Sequence, residues 1–501
     1  MMMLSQIAEA LDAKLFGQDV MMNGVSKDTR DIQAGDLYVA LVGERFDGHQ
    51  FVAGARSAGA AGALVSELQS ECEDVAEASA MNLPQIQVKD TRLALGRLAA
   101  HWRRSWGQQF REQQLREKKQ ATAKMIGITG SNGKTSVKEM CAKILLDFAG
   151  SGAVLATKGN LNNDIGLPMM LLELRHHHQF AVIEMGANHL GEIDYLTTIA
   201  RPDVALINNV GPAHLEGFGS LQNIAAAKAE IYHGLSESGV AIINLDDDYS
   251  PFWRKYCATQ CLAKKVIGFS MLDEKAEIFA ELITGNRYRV FAYGEQAELI
   301  LKVPGKHNVM NALAAIAATL SVGVTLSAAV SSLTDFENIA GRLSSLKSQV
   351  GFRVIDDTYN ANPQSVSVAI DVLSGMQGTE TEKTVLVLGD MGELGDDAKQ
   401  LHVGIGEKAK ASGIAVLYAT GEHCQAAVNA FGENGYWFEN KKDLINCLNE
   451  RLTGSEVVLV KGSRSAAMEE VVEQILTHGA RPGSDGSKTR QEPLPNNKRV
   501  S

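Results

Sequence analysis

Residues 127–140 read "GITGSNGKTSVKEM", a glycine-rich turn between an apolar run and a helical pattern. The apolar run "KMIGIT" predicts a buried strand, and "KTSVKEMCAKILLDF" predicts a helix that begins at Lys134. Backbone N–H groups at such a turn and at a helix N-terminus point toward anions, and glycine lets the chain come close to them. The stretch therefore predicts a phosphate-binding loop at the edge of an α/β sheet.

The loop departs from the general phosphate-loop pattern in one respect. That pattern has a glycine six residues before the lysine, where this chain has Ile128, so the loop is the shorter T-G-x-N-G-K-T. Lys134 is expected to neutralise the β- and γ-phosphates of ATP, and the Thr135 hydroxyl to ligate Mg²⁺. The alternative is a chance Gly-Lys-Thr turn. The residues predicted to contact ATP here are Gly130, Ser131, Asn132, Gly133, Lys134, Thr135 and Ser136.

Strand and helix patterns alternate after this loop. The runs "FAVIEMGA", "DVALINNVG" and "GVAIINLDDD" indicate a mostly parallel sheet with helices on its faces. A second such series runs from "FRVIDDTY" to "EVVLVKGS", and short apolar segments near the N-terminus suit a small α/β unit. The predicted α/β chain has an N-terminal domain at 1–88, a connecting helix at 89–120, a central ATP-binding domain at 121–338, a C-terminal Rossmann-like domain at 339–480 and a disordered tail at 481–501.

Composition narrows the class of protein. The 501 residues are too many for one ordinary core, and a net charge of -11 argues against binding a nucleic-acid backbone, which needs clustered Lys and Arg. Six cysteines without CxxC pairs predict free thiols in a reducing cytoplasm. Neither the histidines at 176–178 nor the thiols of "CATQC" at 257–261 have the partners of a metal site. No apolar run reaches the about 18 residues of a membrane span, so we predict a cytoplasmic protein.

Three further residues are expected at the same edge of the central sheet. Glu184 ends the strand "FAVIEM", His214 lies in the loop "NNVGPAHLEGFGS", and Lys228 lies in the helix "AAAKAEIY". The carboxyl ends of parallel strands face the ligand crevice, and a carboxylate is a hard ligand that suits magnesium. Taken singly, the three suit a solvated strand end, a structural histidine and a surface charge. Their coincidence with the loop favours a site for ATP and Mg²⁺.

Several motifs resemble those of the Mur ligase family of peptidoglycan synthesis. They are "TGSNGKT", "EMGANHLGEI", "NVGPAHLEGFGS" with "KAEIY", and "GKHNVMNALAA". In the last domain, "IDDTYNANPQS", "VLGDMGELG" and "VKGSRSAAMEE" resemble the members that add D-alanyl-D-alanine, and the resemblance covers about residues 25 to 475. It implies an ATP-dependent ligase that joins this dipeptide to UDP-N-acetylmuramoyl-tripeptide through an acyl phosphate. The implied partners are these two substrates, with ATP and Mg²⁺, and we expect a monomer.

The resemblance also implies roles for residues of the first two domains. The UDP end of the substrate is expected on the first domain, where this chain has Thr29 in place of the usual Ser. The implied UDP contacts are Ser26, Thr29, Arg30, Asp47, Gly48 and His49, although the last three also suit a plain turn. Lys228 is implied to be carbamylated, which turns a cation into a metal ligand. The implied catalytic residues are Lys134, Glu184, His214, Lys228 and Arg342, and the implied metal ligands are Thr135, Glu184, His214 and the Lys228 carbamate.

The remaining assignments concern the adenosine and the peptide substrates. Asn308 and Asn311 are implied to lie beside the adenine, although Asn308 could instead cap its helix. Arg342 is assigned to the ATP phosphates and Asp357 to the ribose. The residues assigned to peptide substrate are Tyr359, Asn360, Asn362, Lys461 and Arg464 in the last domain and Asn160, Asn162, Asn163 and Asp164 in the central one. The sequence "NANP" is also good turn sequence, three adjacent Asn suit a loop, and Lys461 could cap its strand.

Two other functions stay open on sequence alone. A sister ligase that adds a diamino acid would share this architecture, but "YNANP" favours the dipeptide. A non-catalytic nucleotide switch would need the loop but not the additional magnesium ligands.

Overall fold

The computed structural model describes residues 2–44, 46–69, 83–116, 122–376 and 383–477. The predicted tail at 481–501 and the end of the predicted connecting helix at 117–120 lie outside these residues. The chain forms two compact units. The first runs to Asn338 and includes Glu393–Gly395, and the second begins at Ile339 and comprises the rest. Each unit is built on a largely parallel sheet with helices, which confirms the α/β class.

The N-terminal part of the first unit contains a five-stranded sheet. Its strands in spatial order are Lys14–Phe16, Gln85–Gln87, Gly62–Val65, Asp36–Val39 and Gly24–Ser26. The first pair is antiparallel and the other pairs are parallel. Short antiparallel pairs join Met2–Met3 to Met21–Met22 and Val42–Gly43 to Phe46–Asp47. The helices of this part are Leu4–Leu11, the 3₁₀ helix Gly48–Phe51 and Val52–Ser57.

A long helix, Thr91–Arg116, follows this sheet. One face of it is apolar, and Leu95, Leu98, Trp102 and Trp106 on that face are buried. The two indole N–H groups donate 3.0 Å hydrogen bonds to the carbonyls of Leu174 and His178 respectively. Because buried indoles need a partner for the N–H, these bonds fix the helix against the segment that precedes the strand Phe180–Glu184.

The central part of the first unit contains a nine-stranded sheet. Its strands in spatial order are Val154–Ala156, Phe180–Glu184, Lys124–Thr129, Val204–Ile207, Val240–Asn244, Lys265–Ser270, Ile278–Thr284, Arg287–Ala292 and Glu295–Ile300. The first seven are parallel, and the last two continue as an antiparallel meander that the sequence analysis did not predict. The helices are Lys134–Ala149, Gly166–Leu172, Glu192–Ala200, Leu215–Phe218, Leu221–Ala229, the 3₁₀ helix Glu230–Gly234, Ser250–Gln260, Lys306–Leu320 and Leu326–Thr334.

The strand Lys124–Thr129 lies where the direction of strand addition reverses. From it the chain crosses to Val154–Ala156, returns to Phe180–Glu184 on one side, and then adds Val204–Ile207 on the other side. In open parallel sheets such a switch point leaves a crevice beyond the carboxyl ends of the strands, where ligands bind. The topology therefore brings the loops after these strands to the predicted phosphate site.

The second unit is a six-stranded sheet with helices. Its strands in spatial order are Ser344–Lys347, Arg353–Asp357, Glu456–Lys461, Lys383–Gly389, Val416–Thr420 and Gly435–Phe438. Only the first pair is antiparallel. The remaining helices are Pro363–Gly375, the 3₁₀ helix Gly395–Asp397, Ala398–Ala411, Cys424–Phe431, Lys441–Arg451, the 3₁₀ helix Arg464–Ala466 and Glu469–Thr477. Across the described helices of both units, none combines the length and the apolar character that a bilayer crossing needs.

Candidate active site

The turn at residues 130–133, called here the glycine loop, joins the strand Lys124–Thr129 to the helix Lys134–Ala149. Gly133 is the N-cap of that helix and has a left-handed backbone with φ 77°. A Cβ at this position would lie 2.5 Å from Asn311 Oδ1 and 2.6 Å from Asn208 Nδ2. Only glycine fits there without displacing buried amides. The first N–H groups of a helix have no intrahelical acceptor, so this end of the helix suits an anion.

Two asparagines after the strand Val204–Ile207 hold the glycine loop. Asn209 accepts a 2.8 Å hydrogen bond from the N–H of Asn132 and donates one of 3.1 Å to its carbonyl. Asn208 Nδ2 donates to the same carbonyl and to Asn311 Oδ1, both at 2.9 Å. Neither residue was predicted from the sequence, although the motif "NNVG" contains both. Asn208 Oδ1 is buried without a hydrogen-bond partner among the described residues, so it can accept one from a ligand or water.

The structure brings Thr135 and Glu184 together beside this loop. Thr135 Oγ1 donates a 2.9 Å hydrogen bond to Glu184 Oε2, and Asn162 Nδ2 donates one of 2.8 Å to Oε1. Glu184 is only 3% exposed. A hydroxyl and a carboxylate are the hard oxygen donors that Mg²⁺ prefers. The donor set therefore fits a magnesium ion that also contacts a phosphate on the glycine loop.

Two lysines lie close to each other at the same site. Lys134 Nζ donates to the carbonyl of Gly130 at 2.7 Å, so its ammonium lies over the glycine loop. Lys228, in the helix Leu221–Ala229, is 4% exposed. Burial, and then the neighbouring Lys134 charge, hold the pKa of Lys228 well below its ordinary value. Both effects disfavour the ammonium form of Lys228 relative to the neutral amine.

His214 precedes the short helix Leu215–Phe218 and has a left-handed backbone with φ 55°. Its Nδ1 pairs with the carboxylate of Glu393, which belongs to the same compact unit. Within the described residues, its ring forms no hydrogen bond with Glu184 or Lys228. The role of His214 as a metal ligand stays a prediction.

Asn308 and Asn311 form a buried chain of amides. Asn311 Nδ2 donates to Asn308 Oδ1 at 3.3 Å, and Asn308 Nδ2 donates to the carbonyl of Pro304 at 2.8 Å. The alternative that Asn308 caps its helix is wrong, because Gly305 is the N-cap. Through Asn208, this chain connects the helix Lys306–Leu320 to the glycine loop.

In the turn after the strand Gly24–Ser26, the exposed Arg30 forms a bidentate ion pair with the partly exposed Asp28. The guanidinium lies 2.9 Å and 2.5 Å from the two carboxylate oxygens. Hydrogen bonds from Arg30 hold the pKa of Asp28 well below its usual range. Ser26 Oγ accepts from the N–H of Asp28 at 3.1 Å, so it shapes the same turn, and Thr29 is partly exposed there. Asp28 was not among the predicted site residues.

Asp47 is the N-cap of the 3₁₀ helix Gly48–Phe51, which contains His49. Asp47 Oδ1 accepts from the N–H of His49 at 2.9 Å and lies 2.6 Å from His49 Nδ1. His49 Nε2 accepts from the N–H of Ser66 at 2.9 Å, so both ring nitrogens are used. A Cβ at Gly48 would lie 2.6 Å from the carbonyl oxygen of Leu41. A contact of Asp47, Gly48 and His49 with UDP stays a prediction.

The loop after the strand Val154–Ala156 contains the four predicted cleft residues. Asn160 is exposed, and Asn163 Oδ1 accepts from the N–H of Gly166 at 2.8 Å. Asp164 forms an ion pair with Arg92 of the long helix. Asn162 hydrogen-bonds Glu184, as described above. Asn163 therefore has the loop role that was left open, and the side chain of Asn162 faces a predicted metal ligand.

In the second unit, Lys461 and Asp357 form a buried ion pair at 2.5 Å. Lys461 Nζ also donates to the carbonyls of Asn360 at 2.9 Å and Asp357 at 3.4 Å. Burial raises the pKa of Asp357, and the charge of Lys461 opposes this shift. An ammonium has three donors, and all three of Lys461 are used here. The expectation that Lys461 itself recognises a substrate carboxylate conflicts with this arrangement.

The other predicted residues of the second unit occupy different places. The Arg342 guanidinium lies 4.0 Å from the centre of the Tyr359 ring, and Leu343 N–H donates to Asp357 Oδ1 at 3.2 Å. Asn362 Oδ1 accepts from the N–H of Ser365 and caps the helix Pro363–Gly375. Asn362 therefore has the local structural role that its motif also allowed. The Arg464 side chain is 67% exposed and pairs with Glu469.

One cluster of possible metal ligands was not predicted from the sequence. Asp390, His402 and Cys424 offer ligand atoms within 4.8 Å of one another. However, His402 Nε2 accepts from the N–H of Met391 at 3.1 Å, and Nδ1 lies 2.7 Å from the carbonyl of Ala398. Both ring nitrogens are engaged with the backbone, so His402 is a structural imidazole.

Comparisons with known proteins show which family this chain is similar to. Three family models match: the Mur ligase family catalytic domain at residues 22–103, the Mur ligase middle domain at 128–319, and the Mur ligase glutamate ligase domain at 341–464. The chain is 42% identical to the UDP-N-acetylmuramoyl-tripeptide–D-alanyl-D-alanine ligase of Escherichia coli K12, over 95% of this chain and 98% of that one. It is 39% identical to the enzyme of the same name from Haemophilus influenzae, over 93% and 96%.

A solved structure shows the same similarity. The crystal structure of MurF from Acinetobacter baumannii superposes with a TM-score of 0.80 at 35% identity. The match covers 94% of this chain and 98% of that one. Together with the matched family models and relatives, it shows that this chain belongs to the Mur ligase family.

Proposed function

We propose that this protein joins D-alanyl-D-alanine to UDP-N-acetylmuramoyl-tripeptide with the hydrolysis of ATP. The products are the UDP-linked pentapeptide, ADP and phosphate. The observation that carries the proposal is the Thr135–Glu184 pair beside the glycine loop, to which the buried Lys228 near Lys134 adds. The names of relatives at 42% and 39% identity support this choice of substrates. The cytoplasmic location and the monomeric state stay predictions.

The glycine loop and Lys134 are proposed to bind the ATP phosphates. The loop supplies N–H groups, and the Lys134 ammonium can exchange its carbonyl contact with Gly130 for phosphate oxygens. Asn308 and Asn311 are proposed to act near the adenine, and the Asn311 amide packs against Gly133. The assignments of Arg342 to the phosphates and Asp357 to the ribose stay predictions.

Mg²⁺ is proposed to bind beside Thr135 and Glu184, with His214 and Lys228 as further ligands. When bound, the ion neutralises charge on the phosphoryl oxygens. Lys228 fits the carbamate role because its lowered pKa favours the neutral amine, which can add to carbon dioxide with release of one proton to leave an anionic carbamate. The Lys134 ammonium, which disfavours a second positive charge at Lys228, would attract the carbamate.

The reaction is proposed to proceed in two steps. First, a carboxylate oxygen of the tripeptide attacks the γ-phosphorus, the bond to ADP breaks, and an acyl phosphate forms. Second, the neutral amine of the dipeptide attacks the acyl carbon, and the tetrahedral intermediate loses inorganic phosphate and a proton. Lys134 stabilises the charge that develops on the transferred group, so the chain contributes mainly positioning and electrostatics.

The test supplies ATP, Mg²⁺ and UDP-N-acetylmuramoyl-tripeptide with either D-alanyl-D-alanine or a free diamino acid. Phosphate release and product mass are both measured, and a mass gain of one dipeptide less water is expected. Lys134→Met should abolish release, whereas Lys143→Met, which changes a lysine paired with Asp147 on the same helix, should not. If product forms only with the diamino acid, that compound and not the dipeptide is the second substrate. Absence of release with every amine would favour a nucleotide switch.

A further inference from the structure

Residues 157–162, called here the support segment, follow the strand Val154–Ala156 at the same sheet edge as Glu184. Thr157 N–H donates to the carbonyl of Val182 at 3.0 Å. Thr157 Oγ1 accepts from the N–H of Glu184 at 2.9 Å. The start of the support segment is therefore hydrogen-bonded to the backbone of the predicted metal ligand.

The end of the support segment contacts the Glu184 side chain. Asn162 Nδ2 donates to Glu184 Oε1 at 2.8 Å, and the Asn162 carbonyl accepts from the N–H of Gly186 at 2.9 Å. Thr135 donates to the other carboxylate oxygen. Each oxygen of the Glu184 carboxylate thus accepts one of these hydrogen bonds. The two bonds fix the plane of the carboxylate, and each oxygen keeps a second lone pair for a cation.

A second lysine of the glycine-loop helix anchors the support segment. Lys138 is 2% exposed, and its Nζ donates to the carbonyl of Thr157 at 2.5 Å and to Glu139 Oε1 at 2.7 Å. A buried ammonium is costly unless it is paired, so these two contacts are what keep Lys138 in place. Lys138 therefore joins the helix that carries Thr135 to the segment that carries Asn162.

We propose that Asn162 is a positioning residue that sets the orientation of the Glu184 carboxylate for Mg²⁺, and that Lys138 anchors its segment. This inference rests on the proposed ATP and magnesium site. It gives Asn162 a role different from the substrate contact predicted for it. A neutral amide donor can align the Glu184 carboxylate without competing for the cation. A second carboxylate at this position would repel the Glu184 carboxylate.

The experiment measures ADP binding by calorimetry with Mg²⁺ and, separately, with EDTA. The ratio of the two affinities reports metal binding and needs no peptide substrate. In Asn162→Ala this ratio should fall about 10-fold relative to the parent, because partners of metal ligands typically contribute 10- to 100-fold to metal affinity. The affinity in EDTA should stay within about twofold, since the glycine loop is held by Asn208 and Asn209.

Two more variants complete the test. Asn162→Asp keeps the side-chain size but removes the donor, so it should lower the ratio at least as much as Asn162→Ala. Lys158→Ala changes an exposed residue of the same segment and should leave the ratio unchanged. If both Asn162 variants keep the parental ratio, or lose ADP affinity equally with and without Mg²⁺, the role of Asn162 is overturned but the proposed function is not. If the parent itself does not bind ADP, the proposed function fails as well.

Discussion

Thr135 Oγ1 lies 2.9 Å from Glu184 Oε2 and donates a hydrogen bond to it, although 49 residues separate the two in the chain. The bond joins the first turn of the helix after the glycine loop to the end of the neighbouring strand Phe180–Glu184. It places two oxygen donors at the topological switch point, where a phosphate-bound cation would meet both.

Thr135→Val removes one of these donors while keeping the side-chain shape. We expect kcat/KM to fall about 10- to 100-fold and the required Mg²⁺ concentration to rise, because a valine methyl cannot ligate a cation. Thr135→Ser keeps the hydroxyl and should remain close to the parent. Phosphate release measured over a Mg²⁺ titration distinguishes the two. Equal losses in both variants would mean that the methyl group, not the hydroxyl, is what matters.

Gly133→Ala should remove nucleotide binding. Its φ of 77° strains any other residue by about 1–3 kcal/mol, and the new Cβ would also break the Asn208–Asn311 bond. Gly191 is a matched control, because it is also a helix N-cap with φ 86° but has open space around its Cβ position. Gly191→Ala should show only the backbone strain in its thermal midpoint and should bind ADP like the parent. Normal ADP binding by Gly133→Ala would contradict the close packing of the loop.

Local motifs made the glycine loop and Glu184 predictable. Lys134 and Thr135 follow a short signature, and an acidic residue at the end of a buried strand has a recognisable position. Thr157 and Lys138 could not be predicted in the same way. Each is chemically ordinary in sequence, and its role depends on which strands become neighbours.

Long-range pairing also explains contacts that the local motifs do not indicate. The motif "VKGSR" made Lys461 a candidate for binding a substrate carboxylate. Its partner is Asp357, which lies 104 residues away and ends the neighbouring strand. Parallel pairing of Arg353–Asp357 with Glu456–Lys461 places the two residues in register. Nothing in either local motif indicates that register.

Lys228→Met should abolish ligation without lowering stability. Because the pKa of Lys228 is well below its ordinary value in the folded protein, unfolding takes up a proton at any pH between the folded and the ordinary pKa. Parent stability should therefore rise with pH, by at most about 1.4 kcal/mol per pH unit, up to the ordinary lysine pKa. In Lys228→Met this rise of stability with pH, called here the slope, should be absent. Chemical denaturation at pH 7 and pH 9 in buffer depleted of carbon dioxide measures it.

Lys264→Met is the control for this slope, because its side chain is 77% exposed. It should keep the parental difference between the two pH values. A slope that persists in Lys228→Met would show that another group takes up the proton. A large loss of stability in Lys228→Met would show that the lysine is needed for packing.

Lys461→Met should destabilise the second unit. It leaves the Asp357 carboxylate buried without its cation, which typically costs about 3–5 kcal/mol. Adding Asp357→Asn removes that uncompensated charge and should recover part of the loss. Arg464→Ala, at an exposed position, should change stability by less than about 0.5 kcal/mol. Urea denaturation of the four proteins tests this, and a small effect of Lys461→Met would leave the lysine available for substrate.

His402 should make the second unit sensitive to mild acid. Burial lowers its pKa, with Asp390 and His423 acting in opposite directions, so the unfolded chain binds a proton first as the pH falls below about 6.5. Stability is therefore lost on acidification, by at most about 1.4 kcal/mol per pH unit. His402→Gln should reduce the change of the thermal midpoint with pH between pH 7.5 and 5.5. Its midpoint at pH 7.5 is expected to be lower than that of the parent, because the bonds to Met391 and Ala398 are altered. His189→Gln, which changes an exposed ring, should keep the parental dependence. An unchanged dependence in His402→Gln would assign the acid sensitivity to another group.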